Sequence, residues 1–342
     1  MDSRLVIPTY SMPPVNRCVI LIRRPDGIPL ARDFAIEERP RPRIGNGQIL
    51  VRNLYLSADP VQRGWAANPA ISPTGETMRA LTVGVVLESR LPGISEGALV
   101  HGIFGWQDYA VASTADILSH IAEPRARASA FAGVLGMPGV TAWLALADLA
   151  PPAPGQTILV STAAGSVGSV VGQIARAAGA RVIGLTGSDD KAARCRGRYG
   201  YDLVFNYRDG DLASALASAA PHGFDTFFDN TGGWIADVAI RHMARYGRII
   251  QCGTAATASW SPPPSGPRPE REVLTRVLTW SGFYIFDHAA RFAEAIERLS
   301  DLMNAGALSY DEDIETGFAI VPGALEAIFA GANTGKKLIF IG

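Results

Sequence analysis

The chain has 342 residues, 48% of them hydrophobic and 18% charged, and its 31 lysines and arginines nearly balance its 32 aspartates and glutamates. A chain without a surplus of either charge has no strong electrostatic attraction for nucleic acid or for an anionic membrane surface, so we expect neither as a partner. The length is about twice that of a usual single domain, which predicts two domains.

The N-terminal segment predicts no export signal. Residues 1–14 contain three prolines and lack an apolar core followed by small residues, so a cytoplasmic location is the default expectation. The longest apolar stretch, 128–150, is interrupted by glycines, a proline and an aspartate. We therefore interpret it as buried structure and not as a membrane span.

The first third of the chain predicts a small, mostly antiparallel β domain. Short runs rich in β-branched and aromatic residues are separated by turn residues, as strands are. These runs cover residues 17–23, 48–54, 82–87, 97–100 and 107–111.

From about residue 154 the pattern changes to apolar runs of strand length that alternate with amphipathic segments, which is typical of a parallel sheet flanked by helices. The predicted strands are 157–161, 181–186, 203–206, 226–229, 248–252 and 279–285. The predicted helices are 169–178, 191–199, 212–219, 234–245 and 288–305. Strands and helices in this alternation predict a doubly wound, Rossmann-type α/β domain.

The last segment of the chain, 306–342, returns to short β runs that end with 337–341, and we infer that it folds back onto the first domain. We therefore predict an α/β protein with a substrate domain at 1–134 and 306–342 and a cofactor domain at 135–305. A proline-rich segment at 259–269 favours extended backbone. A linker and a loop over the cleft are equally good interpretations of it.

A glycine-rich turn follows the first strand of the second half and leads into a helix. Ala163, Gly165 and Gly168 take the places of the three glycines of the dinucleotide-binding fingerprint, and Ser166 and Val167 stand between the last two. In that fingerprint the glycines allow a tight turn, the approach of the backbone to a pyrophosphate and close packing of helix on strand. The helix N-terminus then attracts the anion. The position between a strand and a helix favours this role over glycines that serve packing alone.

The end of the second strand distinguishes the two nicotinamide cofactors. An acidic residue there accepts from the ribose 2′-OH and repels a 2′-phosphate. This chain has Thr186, Gly187 and Ser188 instead, and Lys191 follows as a cation for the phosphate, which favours NADPH. Two acids at 189 and 190 argue against this, although N-capping and compensation of the helix dipole also explain them.

Cysteines and histidines are too scattered to predict a metal site. Cys18, Cys195 and Cys252 fit core filling better than a disulfide framework or a zinc lobe, and the five histidines do not cluster. We therefore expect no zinc and no mechanism that depends on a metal Lewis acid.

Ordered blocks along nearly the whole chain are similar to one family. They lie at 53–60, 63–64, 105–109, 136–142, 163–173, 187–191, 205–207, 228–233, 247–253, 282–286 and 333–336. On these blocks the chain resembles the zinc-independent medium-chain dehydrogenases/reductases, in the group that contains prostaglandin reductase, alkenal double-bond reductase and curcumin reductase. The resemblance implies a Rossmann cofactor domain joined to a GroES-like catalytic domain, and a homodimer.

The resemblance also implies roles for single residues. It implies that Lys191 and Tyr207 hold the 2′-phosphate and that Asn333 reaches the cofactor from the returning tail. The remaining implied cofactor contacts are Asn230, Cys252, Gly253 and Thr254 along the cofactor, with Phe283, Tyr284 and Ile285 flanking the nicotinamide. Without the resemblance, Tyr207 would be interpreted as a strand cap and Asn230 as a turn residue.

The activity that the resemblance implies is NADPH-dependent reduction of the carbon–carbon double bond of an α,β-unsaturated aldehyde or ketone. Hydride transfer to the β-carbon leaves negative charge on the carbonyl oxygen, which hydrogen-bond donors must stabilise. The candidate donors are a ribose hydroxyl of the cofactor, Tyr284 and Tyr55, and the α-carbon proton comes from solvent or a tyrosine. A tyrosine in an apolar strand, as predicted for Tyr284, is more often a core residue.

Two departures from the family pattern prevent the substrate from being carried over. Val61 and Gln62 stand where relatives have Tyr-Met after Asp-Pro, and Ala258 stands where many have a tyrosine, with Trp260 nearby. Two other functions stay open. One is a quinone reductase of the same fold and cofactor, and the other is an NADPH-binding protein without turnover.

Overall fold

A computed structural model describes residues 7–121, 126–260 and 262–342 of the chain. The chain separates into two compact units, which we call unit 1 (Met1–Gly136 with Glu312–Gly342) and unit 2 (Met137–Asp311). The assignment of substrate domain to 1–134 and 306–342, and of cofactor domain to 135–305, stays a prediction.

Unit 1 begins as a β structure, as predicted. Its N-terminal strands are β1 Asn16–Leu21, β2 Phe34–Arg39, β3 Ile49–Ser57, β4 Leu81–Ser89, β5 Leu99–Ile103, β6 Tyr109–Ala112 and β7 Ile117–Ile121, with helix α1 at Val61–Ala67. The predicted strand runs overlap β1, β3, β4, β5 and β6, whereas β2, β7 and α1 were missed. In β2 only Phe34 is buried, so the apolar pattern that would predict a strand is weak there.

Unit 2 is the predicted doubly wound domain. Its strands are β8 Thr157–Val160, β9 Arg181–Thr186, β10 Leu203–Asn206, β11 Phe224–Asp229, β12 Met243–Gln251 and β13 Thr279–Gly282. Its helices are α2 Met137–Leu149, α3 Gly168–Ala177, α4 Asp189–Tyr199, α5 Leu212–Ala219, α6 Gly233–Ala239, α7 Glu270–Arg276 and α8 Phe292–Asn304. The strands pair in parallel in the order β10-β9-β8-β11-β12-β13, so the strand order reverses beside β8. In such sheets ligands bind at the carboxyl ends of the strands next to this reversal.

Three predicted elements of unit 2 were wrong in their bounds. The helix predicted at 234–245 ends at Ala239, because Met243 pairs with Phe224 and the chain has entered β12. The strand predicted at 279–285 ends at Gly282, and the helix predicted at 288–305 begins at Phe292. The helix between β12 and β13 is therefore α7, which was missed because a proline-rich segment leads into it.

The C-terminal segment belongs to unit 1 from Glu312 onward. It contains β14 Glu312–Thr316, α9 Ala324–Phe329 and β15 Lys336–Phe340. β15 pairs antiparallel with β3, and the sheet has the order β14-β15-β3-β4-β5-β7, with β6 paired to β3. The last strand in the sequence thus lies inside this sheet, between β14 and β3.

The apolar stretch 128–150 is buried structure, as predicted. It forms a short 3-10 helix, Ala128–Ala132, followed by α2, and most of its side chains are buried. Among the described residues, every helix is too short or too polar to cross a membrane.

Candidate cofactor and active site

The glycine-rich turn joins β8 to α3 at the carboxyl edge of the unit 2 sheet. A Cβ at Gly168 would lie 2.3 Å from the Thr162 carbonyl oxygen, and a Cβ at Gly165 would lie 2.9 Å from the Thr162 Cγ2. Thr162 itself has a φ of +51°, so the chain turns sharply here. Only glycine at 168 lets the helix begin this close to the turn, which is the packing role expected for the fingerprint.

Ala163 can replace the first glycine of the fingerprint because the neighbouring strand β9 has a glycine opposite it. Ala163 is fully buried, and its Cβ lies 2.8 Å from where a Cβ of Gly184 in β9 would be. Because β9 has glycine at this place, the methyl group of Ala163 has room.

The N-terminus of α3 is available to an anion. Val167 is the N-cap and, within the described residues, makes no side-chain capping hydrogen bond. The Ser169, Val170 and Val171 N–H groups donate to the Gly165 and Val167 carbonyls, so the N–H groups that could face a pyrophosphate are those of residues 166–168, at the start of the helix.

The buried carboxylate of Asp229, at the end of β11, organises this edge of the sheet. It accepts hydrogen bonds from the Ser161 hydroxyl at 2.8 Å, the Thr231 N–H at 2.8 Å, the Gly232 N–H at 3.0 Å and the Gln251 amide at 2.9 Å. It thereby ties the ends of β8, β11 and β12 together. The sequence analysis missed this role, although an aspartate at the end of a buried apolar strand was a signal for it.

Asn230 and residues 252–254 form the next part of the same edge. The Asn230 amide donates to the Ser161 carbonyl at 2.9 Å, and the Cys252 and Gly253 N–H groups donate to the Asp229 carbonyl. A Cβ at Gly253 would lie 2.6 Å from the Asn230 carbonyl oxygen, so the two loops touch there. Thr254 follows directly in the second loop.

The Cys252 thiol is not a nucleophile at neutral pH. Burial, reinforced by the Asp229 carboxylate, raises its pKa to about 12. The neutral thiol therefore lines the edge as a small apolar group.

The residues predicted to select the cofactor come together at the ends of β9 and β10. The Tyr207 N–H donates to the Thr186 carbonyl at 3.0 Å, and a Cβ at Gly187 would lie 2.7 Å from the Tyr207 hydroxyl and 3.6 Å from the Arg208 Nε. Burial and the charge of Arg208 lower the pKa of Lys191. Lys191 and Arg208 repel each other, and Arg208 lies beside the Tyr207 hydroxyl. Such a group can bind a multiply charged anion, which relieves the repulsion.

Arg208 was missed by the sequence analysis. The sequence could have indicated this residue, because it is a cation that directly follows Tyr207 at the end of the predicted strand 203–206. The predicted N-cap of α4 was wrong. Ser188 caps this helix by accepting from the Lys191 N–H at 3.4 Å. The two aspartates lie in the first turn, where they compensate the helix dipole.

The segment 283–285 lies beyond β13. The Phe283 N–H donates to the Gln251 carbonyl at 3.0 Å, and the Phe283 ring stacks on His288 with centroids 4.7 Å apart. Ile285 is buried, whereas Tyr284 is 56% exposed. Because β13 ends before it, Tyr284 is not the core residue that an apolar strand would make it.

The two other predicted site residues lie in unit 1. The ring of Tyr55, on β3, packs at 5.2 Å from that of Phe340, and burial, followed by the charge of Glu312, raises the pKa of its hydroxyl. The Asn333 amide donates to the Gly335 carbonyl at 2.7 Å in the turn before β15. The structure thus brings the other predicted site residues to one edge of the unit 2 sheet and places these two in unit 1.

Two family models match the chain. A model described as the N-terminal domain of oxidoreductase matches residues 17–120, and one described as zinc-binding dehydrogenase matches residues 166–301. In the part of the chain that the structure describes, no group of three or more histidine, cysteine or acidic side chains is arranged to hold a metal ion.

Similar proteins extend over nearly the whole chain. The NADPH-dependent curcumin reductase of Escherichia coli is 34% identical over 335 residues, covering 95% of this chain and 96% of the relative. The NADP(+)-dependent 2-alkenal reductase of Nicotiana tabacum is 32% identical over 336 residues, covering 95% and 97%. The structure of CurA from Vibrio vulnificus in complex with NADPH has a TM-score of 0.87 and 32% identity, covering 95% of this chain and 99% of that one.

The class of protein is a dinucleotide-binding oxidoreductase of two units. It is defined by the parallel sheet with its glycine-rich turn, by the separate β unit and by the two matched family models. The relatives narrow this class. The chain belongs to the medium-chain dehydrogenase/reductase family, in the zinc-independent group of the prostaglandin, alkenal and curcumin reductases.

Proposed function

We propose that the chain is an NADPH-dependent reductase that saturates the carbon–carbon double bond of α,β-unsaturated aldehydes and ketones without zinc. The observation that carries the proposal is the pair of cations, Lys191 and Arg208, beside Tyr207 at the end of β9, where an NAD-specific site has an acid. The names of the alkenal and curcumin reductases support the acceptor class.

The chain's own residues would hold the cofactor along the carboxyl edge of the unit 2 sheet. Lys191, Arg208 and Tyr207 bind the 2′-phosphate, and the N-terminus of α3 binds the pyrophosphate. The other contacts of the proposed site are Ala163, Gly165, Ser166, Val167, Gly168, Thr186, Gly187, Ser188, Asn230, Cys252, Gly253, Thr254, Phe283, Tyr284, Ile285 and Asn333. When bound, NADPH supplies the hydride that the β-carbon of the acceptor receives.

A tyrosine hydroxyl would stabilise the charge that develops on the carbonyl oxygen. Tyr284 is a candidate because its side chain is more than half exposed and its hydroxyl is available to a ligand. Tyr55 is the other candidate, since burial and Glu312 keep its hydroxyl protonated and thus able to donate. Single Phe substitutions separate them, because replacing the donor lowers kcat strongly, whereas replacing the other tyrosine leaves kcat nearly unchanged.

The test is to follow the absorbance of NADPH with the purified protein and four acceptors: an enal, a benzylidene ketone, a quinone and a saturated aldehyde. We expect oxidation with the enal and the benzylidene ketone, and the same rate after treatment with a chelator. Preference for the quinone would instead support a quinone reductase. Tight NADPH binding without turnover on any acceptor would support a binding protein.

A homodimer also belongs to the proposal, with β13, the edge strand of the unit 2 sheet, as the pairing element. Light scattering of the purified protein measures the mass directly. A proline in β13 should then yield monomers, and a wild-type monomer would contradict the proposed pairing.

A further inference from the structure

The Tyr207 ring contacts the indole of Trp234, a residue outside the cofactor contacts named above. The ring centroids are 6.0 Å apart and the ring planes make an angle of 80°, which is an edge-to-face arrangement. Aromatic pairs prefer this geometry over a face-to-face sandwich, because the edge of one ring is attracted to the face of the other. The contact therefore restricts the orientation of the tyrosine ring.

The two rings belong to loops that follow strands which are not neighbours in the unit 2 sheet. Tyr207 comes directly after β10, and Trp234 follows β11 as the second residue of α6. β9 and β8 lie between these two strands, so the pair spans three strand spacings of about 4.8 Å each. The rings therefore meet beside the carboxyl ends of β9 and β8, where residues 186–188 and the glycine-rich turn lie.

The backbone that carries Trp234 is held by the buried Asp229 carboxylate. The Thr231 N–H donates to this carboxylate at 2.8 Å and the Gly232 N–H at 3.0 Å. Gly232 and Gly233 have φ values of +67° and +60°, which other residues rarely adopt, and they turn the chain into α6. Trp234 thus stands on a fixed support, although its own side chain is 51% exposed.

The Tyr207 side chain is held at three places. Its ring packs against the hydrophobic core of unit 2, and Trp234 contacts the ring from the side. Its hydroxyl lies so close to Gly187 that a Cβ there would be 2.7 Å away. Removal of the indole would leave open space beside the ring, into which the tyrosine could rotate away from Gly187.

We propose that Trp234 is a positioning residue that fixes the Tyr207 hydroxyl for the 2′-phosphate and so increases the preference for NADPH over NADH. The inference rests on the proposed function, in which Tyr207, Lys191 and Arg208 bind this phosphate. A donor that is already oriented loses little side-chain entropy when the ligand binds. A phenol whose ring can rotate must be ordered at that moment, which weakens binding of the phosphate and leaves binding of the rest of the cofactor unchanged.

An exposed tryptophan at this edge can also stack on the adenine of the cofactor. The two roles predict different results, because stacking would strengthen the binding of every adenosine ligand, with or without a 2′-phosphate. Positioning would strengthen only the ligands that carry the phosphate. The contact with Tyr207 favours positioning, since the indole touches the ring whose hydroxyl has to be oriented.

Calorimetric titration of the purified protein with 2′,5′-ADP and with 5′-AMP tests the inference without turnover, because the two ligands differ only by the 2′-phosphate. We expect Trp234→Ala to raise the Kd for 2′,5′-ADP by about threefold to tenfold, the cost of ordering one side chain on binding, and to leave the Kd for 5′-AMP unchanged. Trp234→Phe, which keeps a ring against Tyr207, should recover most of the affinity. Tyr246→Ala, which removes a more exposed ring early in β12, is the control.

A double-mutant cycle shows whether Trp234 acts through the Tyr207 hydroxyl. Tyr207→Phe keeps the ring and removes the hydroxyl, so Trp234→Ala should cost no further affinity for 2′,5′-ADP in that background. Turnover should show the same separation. Trp234→Ala should raise the KM for NADPH, and leave both the KM for NADH and kcat unchanged.

Equal losses of affinity for 2′,5′-ADP and 5′-AMP would identify stacking on the adenine and overturn the inference. Additive losses in the double variant, or an unchanged Kd for 2′,5′-ADP in Trp234→Ala, would also overturn it. Failure of the proposed function has a different result. If the unaltered protein binds 2′,5′-ADP no more tightly than 5′-AMP, the NADPH site is wrong and the inference falls with it. If it prefers 2′,5′-ADP but reduces no enone, only the proposed activity is contradicted.

Discussion

His101, on β5, is a fully buried histidine in unit 1. Both of its ring nitrogens are buried without a hydrogen-bond partner among the described residues. Burial lowers its pKa to about 4, with smaller effects from Asp59, which raises the pKa, and Lys336, which lowers it. The neutral imidazole is therefore part of the folded core, and its protonation opposes folding.

The sign of the pH dependence follows from that lowered pKa. In the unfolded chain His101 takes up a proton near its ordinary pKa of 6.5, whereas the folded chain resists until about 4. Stability from this residue is complete above pH 6.5 and is lost as the pH falls towards 4, by about 3 kcal/mol. Urea unfolding across this window should show a shallower loss in His101→Gln, whereas His222→Gln, at an exposed position, should keep the wild-type slope.

The cations at the ends of β9 and β10 give a second prediction at this scale. Lys191→Ala and Arg208→Ala should each raise the KM for NADPH by about tenfold to a hundredfold, because each removes a charge-assisted hydrogen bond to the 2′-phosphate. The KM for NADH should change little. Arg196→Ala, an exposed position near the other end of α4, is the control, and an equal effect of Lys191→Ala on both cofactors would contradict this assignment.

At the scale of elements, α3 can begin close to the turn after β8 only because Gly168 has no side chain. Gly168→Ala should destabilise the protein by about 2 to 4 kcal/mol, because the Cβ would clash with the Thr162 carbonyl and move α3 off the turn. Gly197→Ala in α4 is the matched control. A Cβ there meets nothing within 4 Å, so it should stabilise by about 0.5 to 1 kcal/mol.

Thermal and denaturant unfolding measure both changes. NADPH affinity should fall with Gly168→Ala and stay constant with Gly197→Ala. Equal stability of the two variants would show that the turn relaxes to accept a side chain.

Elements were predictable where local pattern and burial agree. The bounds of β9, β10 and α5 match the predicted ones, since each is an apolar or amphipathic run ended by turn residues. The exposed strand β2 and the helix α7 were missed, because their residues carry little apolar periodicity and their structure depends on what they pair with or follow. For the same reason β12 begins where a continued helix was predicted.

At the scale of the whole molecule, a buried ion pair joins the two parts of unit 1 that lie at opposite ends of the sequence. Lys336 and Asp59 are both almost completely buried and meet at 2.8 Å, and the Ser57 hydroxyl also donates to Asp59. Lys336→Ala leaves a buried carboxylate without its cation, which should cost about 3 to 5 kcal/mol. Lys337→Ala should cost less, because its acidic partners are partly exposed.

Denaturant unfolding of the full chain tests this comparison. The free energy of unfolding should fall further in Lys336→Ala than in Lys337→Ala. A smaller loss in Lys336→Ala than in Lys337→Ala would contradict the importance given to the pair.

The sequence by itself determined the doubly wound sheet, the glycine-rich turn and the absence of an acid at the end of β9, because these depend on local periodicity and on residues close together in the chain. Only the tertiary structure decided that Asp229 ties three strand ends together, that Arg208 lies beside Tyr207, and that Trp234 contacts the Tyr207 ring. Such contacts are set by strand order and register, which join residues far apart in the sequence and leave no repeating local signal.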